Sequence, residues 1–177
     1  MMHRLLLTLL IGFVPLVQAG TEYNETIDPI TDEITRKIRI SNPSTVPDVE
    51  GPAWAKELLR ETGEVLEVRC QQAKGSLDIT VFNWFESSFI SFNEKRFDVN
   101  LIERAGKDAA SEGGWILYGN SGRLQRRAPI TLLNKLLGND RLALRYQSRK
   151  SNKTVVFDIS ELGMHISKLL LLCRKRN

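Results

Sequence analysis

The chain has 177 residues, of which 42% are hydrophobic and 26% are charged, and its formal net charge is +4. These proportions are close to those of ordinary globular domains, and they exclude a collagen-like, a coiled-coil or a wholly disordered chain. The histidines are His3 and His165, and His3 lies in an N-terminal segment that we expect to be removed. With one remaining histidine and two cysteines, neither a two-histidine nor a four-thiolate zinc site can form within one chain. We therefore expect no metal and no other cofactor.

The first 19 residues have the layout of a secretory signal peptide. Arg4 precedes an apolar run from Leu5 to Val17, and small residues stand at the minus-three and minus-one positions before a cut after Ala19. Cleavage there predicts a periplasmic or secreted protein of roughly 158 residues, which is the length of one domain. No later stretch is apolar and long enough to cross a bilayer, so we expect no transmembrane segment after cleavage.

Export gives a meaning to Cys70 and Cys173, the two cysteines of the sequence. In an oxidising compartment a pair of thiols usually forms a disulfide, and we predict one here. Closing a loop of about 100 residues stabilises a protein by about 4.7 kcal/mol in the chain-entropy model. The predicted bond would join the first predicted strand to the last helix.

Residues 20–51 contain several prolines and many polar residues without a sustained apolar period, and we predict a linker or irregular segment. Pro52 then precedes a predicted short helix, Ala53–Thr62, which Gly63 ends. Residues 52–177 are predicted to form a single disulfide-linked domain.

Alternation of apolar and polar residues predicts several strands in that domain. Short turns between the strands favour an antiparallel arrangement. Gly113-Gly114 is interpreted as a break, and the glycines between residues 119 and 122 as turn residues. The predicted inward-facing sets are Leu66, Val68 and Cys70; Leu77, Ile79 and Val81; Phe97, Val99 and Leu101; Trp115, Leu117 and Leu124; Leu142, Leu144 and Tyr146; and Val155, Phe157 and Ile159.

Two later segments have helical periodicity. Pro129 and Gly138 bracket the first, whose apolar face is predicted to carry Ile130, Leu133 and Leu137. The second follows a capping pattern at 158–161, and its apolar face is predicted to carry Leu162, Ile166, Leu169 and Cys173. The predicted fold class is α+β, with an antiparallel β-sheet or small β-sandwich packed by two helices and one disulfide.

Charge is distributed unevenly along the chain. Residues 20–67 contain 11 acidic and 5 basic residues, whereas residues 120–153 contain 9 basic residues and only Asp140 as an acid. This asymmetry predicts a basic face for an acidic partner, although an intramolecular contact with the acidic segment or an ordinary solvated surface would give the same pattern. Export argues against a nucleic-acid partner. The candidate residues of the basic face are Arg123, Arg126, Arg127, Arg141 and Arg145.

We do not predict an enzyme. His165 lies beside Met164 and outside the apolar stripe of the last helix, which is typical of a surface or rim histidine. A carboxylate pair for glycoside hydrolysis would need a defined separation, which no spacing in this sequence sets. The candidate carboxylates are Glu86, Glu94, Asp98 and Glu103.

The order of elements between residues 65 and 173 carries a family resemblance. Its residues are Val68-Arg69-Cys70, Trp84, Trp115, Ser121, Leu132 to Gly138, Arg141 to Arg145, and Phe157 to Leu162 through Leu169 to Cys173. In these residues the chain resembles the VasI/TagO-like proteins associated with type VI secretion. The resemblance implies a Gram-negative periplasmic accessory protein without established enzymatic activity, and it transfers no catalytic residue.

The leading hypothesis is therefore an exported periplasmic accessory or binding protein whose partners are envelope proteins, including components of a secretion system. The alternative is an inhibitor or immunity-like protein that blocks a peptidoglycan enzyme with an exposed loop at Glu86–Arg96, since a rigid domain loses little entropy on binding. A third hypothesis is a hydrolase that acts on an envelope polymer through the candidate carboxylates.

Overall fold

The computed structural model describes residues 20–42, 63–71, 75–82, 96–118, 122–147 and 152–173. Within these ranges nine strands form one sheet, and two helices pack against it. The strands are β1 Thr21–Ile27, β2 Ile34–Asn42, β3 Glu64–Gln71, β4 Ser76–Phe82, β5 Phe97–Ala105, β6 Ser111–Tyr118, β7 Arg123–Arg126, β8 Arg141–Gln147 and β9 Asn152–Asp158. The helices are α1 Pro129–Leu136 and α2 Leu162–Cys173.

Neighbouring strands are all antiparallel, in the order β1-β2-β3-β4-β7-β6-β5-β8-β9. The predicted antiparallel sheet with two helices is confirmed. The described part is nevertheless richer in β-structure than the predicted α+β class, because two further strands lie at the N-terminal side of the sheet.

The prediction of an irregular segment is wrong for β1 and β2, which lie within residues 20–51. In β2, Ile38 and Ile40 are buried and alternate with polar residues, so this strand has the usual half-buried pattern. Among the described strands, β1 lies at the edge and pairs with β2 alone, which explains its polar sequence. The predicted signal segment, residues 43–51 and the helix predicted at 53–62 lie outside the described residues.

The apolar faces of β2 to β9 and of the two helices form the core, and for β3 to β9 the alternation predicts these faces. Trp115 and Phe157 are its largest fully buried side chains, and Cys70 is fully buried on the same face. Phe97, Val99 and Tyr146 pack against the core from partly buried positions. The hairpins β3–β4 and β8–β9 also form as predicted.

Helix α1 forms at the predicted place, but its predicted apolar face is only partly correct. The buried residues are Leu132, Leu133 and Leu136, whereas Ile130 and Leu137 are 51% and 40% exposed. Leu137 has extended backbone angles, φ −66° and ψ 125°, so it no longer follows the helical period. Ile130 lies to one side of the stripe that the buried leucines define.

Helix α2 buries Leu162, Ile166 and Leu169, as predicted, and packs on β2, β3 and β4. At its last residue Cys173 forms the predicted disulfide with Cys70, with the two Cα atoms 5.7 Å apart. The partner strand is the third of the described sheet, because β1 and β2 precede it. The bond therefore fastens the last helix to an interior strand.

The sheet is rolled, so that the end of β2 lies beside β9 at the far end of the strand order. Asn42 Nδ2 donates a hydrogen bond to the carbonyl oxygen of Val156. Lys153 Nζ on β9 lies 2.7 Å from Glu64 Oε1 at the start of β3. We call these four residues the seam, because their contacts join two parts of the sheet that are not neighbours in the strand order.

Candidate functional site

The five arginines predicted to form a basic face do not share one surface. Arg126 points to the interior, and its side chain is 8% exposed. The Arg123 guanidinium lies over the Tyr118 ring, 4.1 Å from its centroid. Arg127 is exposed and forms a salt bridge of 2.9 Å with Asp98. Only Arg141 and Arg145 lie together, on the outer face of β8.

Arg126 belongs to a buried cluster around Glu103. The Glu103 side chain is 1% exposed, and its Oε1 lies 2.6 Å from Arg126 Nε. The same oxygen accepts a hydrogen bond of 2.8 Å from Trp115 Nε1. Lys135 Nζ on α1 lies 3.5 Å from Glu103 Oε2. These four residues, which we call the Glu103 cluster, connect three strands to α1.

Further bonds fix Arg126 within this cluster. Its Nη1 donates to the backbone oxygens of Gly114 and Arg127, and its Nη2 donates to Thr131 Oγ1 at 3.5 Å. A buried arginine with this many acceptors is already satisfied. Arg126 therefore supports the fold and is not available to a partner.

Gly113 and Gly114 lie inside β6 and not in a break, so that interpretation is wrong. A Cβ atom at Gly113 would lie 1.9 Å from Glu103 Oε1, and one at Gly114 would lie 3.4 Å from Arg127 Cδ. The first glycine makes room for the buried carboxylate and the second for a crossing side chain. Gly122 has φ 56° and does occupy a turn.

The arginines that do come together surround Ala143 on the outer face of β5, β8 and β9. Arg104 lies directly opposite Ala143, whose neighbours on the same face of β8 are Arg141 and Arg145. Diagonal positions of this kind are about 7–8 Å apart in antiparallel sheets. All three arginines are exposed. We call Arg104, Arg141 and Arg145 the arginine face.

Apolar and hydroxyl side chains complete this surface. Ile102 and Val156 lie on it, and Val156 is 42% exposed. Arg145 Nε donates to Thr154 Oγ1 at 3.2 Å. Arginines beside exposed apolar groups are typical of protein interfaces, and a guanidinium binds a carboxylate through two parallel hydrogen bonds.

Sequence reasoning missed Arg104, although a signal for it was present. Leu101, Glu103 and Ala105 are buried on one face of β5, so the residues between them point outward. The prediction grouped arginines by their nearness in the chain, whereas Arg104 joins Arg141 and Arg145 through the pairing of β5 with β8.

A second group of polar residues crosses the sheet near Arg123. Arg69 pairs with Asp78 at 3.3 Å, and Gln125 Nε2 donates to Asp78 Oδ1 at 3.0 Å. The Tyr118 hydroxyl donates to Gln125 Oε1 at 3.0 Å. These contacts link β3, β4, β6 and β7 beside Arg123, which is held against the Tyr118 ring.

The described candidate carboxylates do not form a catalytic pair. Glu103 is buried and faces the core, whereas Asp98 is exposed on the opposite face of the same strand. Glu86 and Glu94, like the proposed inhibitory loop, lie outside the described residues. Glu103 and Asp98 therefore give no support to the hydrolase hypothesis.

His165 is half-buried on α2, and its ring stacks on Tyr23 with 5.6 Å between the ring centroids.

Among the residues that the structure describes, no group of three or more histidine, cysteine, aspartate or glutamate side chains could hold a metal ion. Within the same ranges, no helix has the length and apolar character needed to cross a membrane.

Glu64 in the seam is fully buried, and this burial raises its pKa above the ordinary value of 4.5. The nearby Lys153 ammonium acts in the opposite direction. Because the folded protein holds this proton more tightly than the unfolded chain, the Glu64 contribution to stability falls as the pH rises from about 4.5 through the folded-state pKa.

We expect Glu64→Gln to remove this component of the pH dependence, because glutamine does not titrate. Urea unfolding measured between pH 4.5 and 7 would show a flatter stability profile for Glu64→Gln than for the parent protein. Glu112→Gln is the control, since Glu112 is exposed on β6 and should leave the profile unchanged. Parallel profiles for Glu64→Gln and the parent would contradict the prediction.

Comparison with known proteins identifies no relative: no protein-family model, no curated protein and no solved structure matches the chain. The function is therefore inferred from the residues of this chain. The arginine face is the described surface where two of the predicted basic residues meet Arg104 and an exposed apolar side chain, Val156.

Proposed function

We propose that this chain is an exported, non-catalytic binding protein of the bacterial periplasm that presents the arginine face to an acidic protein surface. The observation that carries this proposal is the grouping of Arg104, Arg141 and Arg145 around Ala143. None of the three forms a salt bridge with another described residue. Arg141 lies opposite Asp158 on β9 and acts on its carboxylate, so Arg104 and Arg145 carry the charge that is left for a partner.

The chemistry of the face favours a protein partner with clustered carboxylates. Three neighbouring guanidinium groups repel one another, and carboxylates placed between them would relieve that repulsion. Each exposed ion pair contributes only about 0.2–1 kcal/mol, so the charges mainly guide association and orientation. Ile102 and Val156 offer the apolar contact that supplies the rest of the affinity.

Two observations support the cellular setting. The Cys70–Cys173 disulfide agrees with an oxidising compartment, and the N-terminal sequence has the layout of an export signal cut after Ala19. The resemblance to type VI secretion-associated proteins supports an accessory role at an envelope assembly. The partner we expect is thus an envelope protein, in the first place a component of a secretion apparatus.

The test compares two full-length variants with the same change of net charge. The face variant carries Arg104→Glu and Arg145→Glu, and the control carries Lys107→Glu and Lys168→Glu at exposed sites off this face. After crosslinking in native cells, mass spectrometry would quantify each captured protein. We expect the face variant to lose an acidic envelope partner by tenfold or more, which corresponds to about 1.4 kcal/mol, while the control retains it.

Equal capture by the face variant and the control would contradict the proposal. If the partner lost by the face variant is a peptidoglycan hydrolase, a direct inhibition assay with that enzyme decides between the accessory and the inhibitor hypotheses. Added salt should weaken the arginine-dependent interaction, because exposed charges are screened over about 8–10 Å at physiological ionic strength.

A further inference from the structure

A small cleft of about 160 Å³ lies where the start of β1, the end of β2 and the turn between β9 and α2 meet. Gly20 lines it, and Gly20 is the residue that follows the predicted signal cleavage position. Two acidic residues line the same cleft. The lining residues are Gly20, Thr21, Ile40, Asp158, Ser160 and Glu161.

Gly20 is held in this position by the β1–β2 pairing. The Ser41 backbone N–H donates to the Gly20 carbonyl oxygen at 3.1 Å, and the Ser41 hydroxyl donates to the same oxygen at 3.3 Å. The Gly20 nitrogen in turn donates to Ser41 Oγ at 3.4 Å. The next residue, Thr21, pairs with Ile40 across the ladder. The nitrogen of Gly20 is thus anchored at the cleft by its own strand.

We propose that this cleft is the docking site for the α-ammonium group that cleavage creates at Gly20, with Asp158 and Glu161 as its anionic partners. The inference rests on the proposed export, because the amine exists only after the bond between Ala19 and Gly20 is hydrolysed. Water supplies a hydroxyl to the Ala19 carbonyl and a proton to the Gly20 nitrogen, which takes up a second proton near neutral pH.

The change from amide to ammonium alters what this nitrogen can bind. An amide nitrogen carries one N–H and no charge, and that N–H points to Ser41 Oγ. An ammonium group carries three donors and a positive charge, so it can keep the bond to Ser41 and still donate to carboxylates. Processing therefore adds an ion pair between the first strand and the turn that precedes α2.

Asp158 accepts local hydrogen bonds that favour its charged form. The Ser160 backbone N–H donates to Asp158 Oδ1 at 3.0 Å and lowers the pKa of Asp158, with a further contribution from the Ser160 hydroxyl. Arg141 on β8 acts on Asp158 in the same direction. The charged residues that line the cleft are both acidic, whereas Arg141, which lies opposite Asp158 on the neighbouring strand, is outside the lining.

The experiment uses three forms of residues 20–177 with the disulfide formed: one with a free Gly20 amine, one acetylated at Gly20, and one that retains Ala19. At pH 7 we expect the free-amine form to melt about 2–4 °C above the other two, the shift typical of one added ion pair of about 1 kcal/mol in a protein of this size. Isotope labelling of Gly20 should place its amine pKa above the usual 7.7–8.0. The advantage should persist below that range and vanish as the amine deprotonates at higher pH.

Glu161→Gln should shrink the difference between the free-amine and acetylated forms, while Glu112→Gln on β6 should leave it intact. Identical melting midpoints for free and acetylated Gly20 would overturn the inference. A difference in melting midpoint between the two forms that is unchanged in the double variant Glu161→Gln and Asp158→Asn would also overturn it. N-terminal sequencing of the exported protein tests cleavage after Ala19 separately, so a failure of the export proposal would be recognised as such.

Discussion

Cys173→Ser should lower the free energy of unfolding by about 2–5 kcal/mol. The disulfide closes a loop with a sequence separation of 103 residues, and its loss restores the conformational freedom of that loop to the unfolded chain. In addition, the Cys70 side chain, which is fully buried, would keep an unpaired thiol in the core. Since typical domains are stable by 5–15 kcal/mol, the loss would be a large share of the total.

Denaturant unfolding of the parent protein and of Cys173→Ser, each with and without reductant, measures this effect. Reductant should destabilise the parent and leave Cys173→Ser unchanged. Leu171→Ser is a suitable control, because it introduces serine into the last turns of the same helix at a position that is 63% exposed. An unfolding midpoint of Cys173→Ser equal to that of the control would show that the bond does not stabilise the fold.

Removing the charge of Glu103 should be at least as damaging, with an expected loss of about 3–5 kcal/mol for Glu103→Gln. Glutamine preserves the shape of the side chain, but Arg126 would then be left in the interior without its counter-charge. Lys135 would lose its acidic partner as well. The cost comes mainly from the Arg126 charge that is left unpaired in the interior, because the Lys135 side chain is 37% exposed and keeps its bond to Ser111 Oγ.

Equilibrium unfolding monitored by tryptophan fluorescence suits this test, because Trp115 donates directly to Glu103. Glu112→Gln on β6 provides the matched control, and a surface change of this kind should stay within about 0.5 kcal/mol. The double variant Glu103→Leu and Arg126→Met should be less destabilised than Glu103→Gln alone, since neither buried charge of that pair remains. A loss for Glu103→Gln no larger than that of the control would refute the argument.

Much of the sheet could be predicted from the sequence, because a half-buried strand has a period of two residues. Cys70 and Phe157 lie on apolar faces that alternation alone identifies. β1 could not be found in this way, because an edge strand pairs on one side only and its residues are mostly polar. Prolines nearby then outweighed the alternating isoleucines of β2 in the prediction.

The Glu103 cluster shows where sequence reasoning meets its limit. Arg126 is two residues after the buried Leu124 and so lies on the same face of β7. A sequence-based prediction nevertheless places an arginine on the outside, because burying its charge is costly. Only the pairing of β5, β6 and β7 brings a buried carboxylate to it. The same pairing explains Gly113, whose missing side chain makes space for that carboxylate.

The basic character of the candidate binding site could be predicted from the sequence, but the identity of the arginines that form it could not. The uneven distribution of charge indicated a basic face, and Arg141 and Arg145 do belong to one. Arg104 comes from a strand about 40 residues earlier in the chain, and it reaches this surface through strand pairing. Register between distant strands depends on packing of the whole sheet, which local residue patterns do not encode.

The seam also has a consequence for the order in which the protein folds. Asn42 and Val156 are 114 residues apart in sequence, so their contact can form only after the strands between them have paired. The end of β2 therefore remains an open edge early in folding. Closure of the roll is a late and slow step, because contacts between residues that are distant in sequence slow folding.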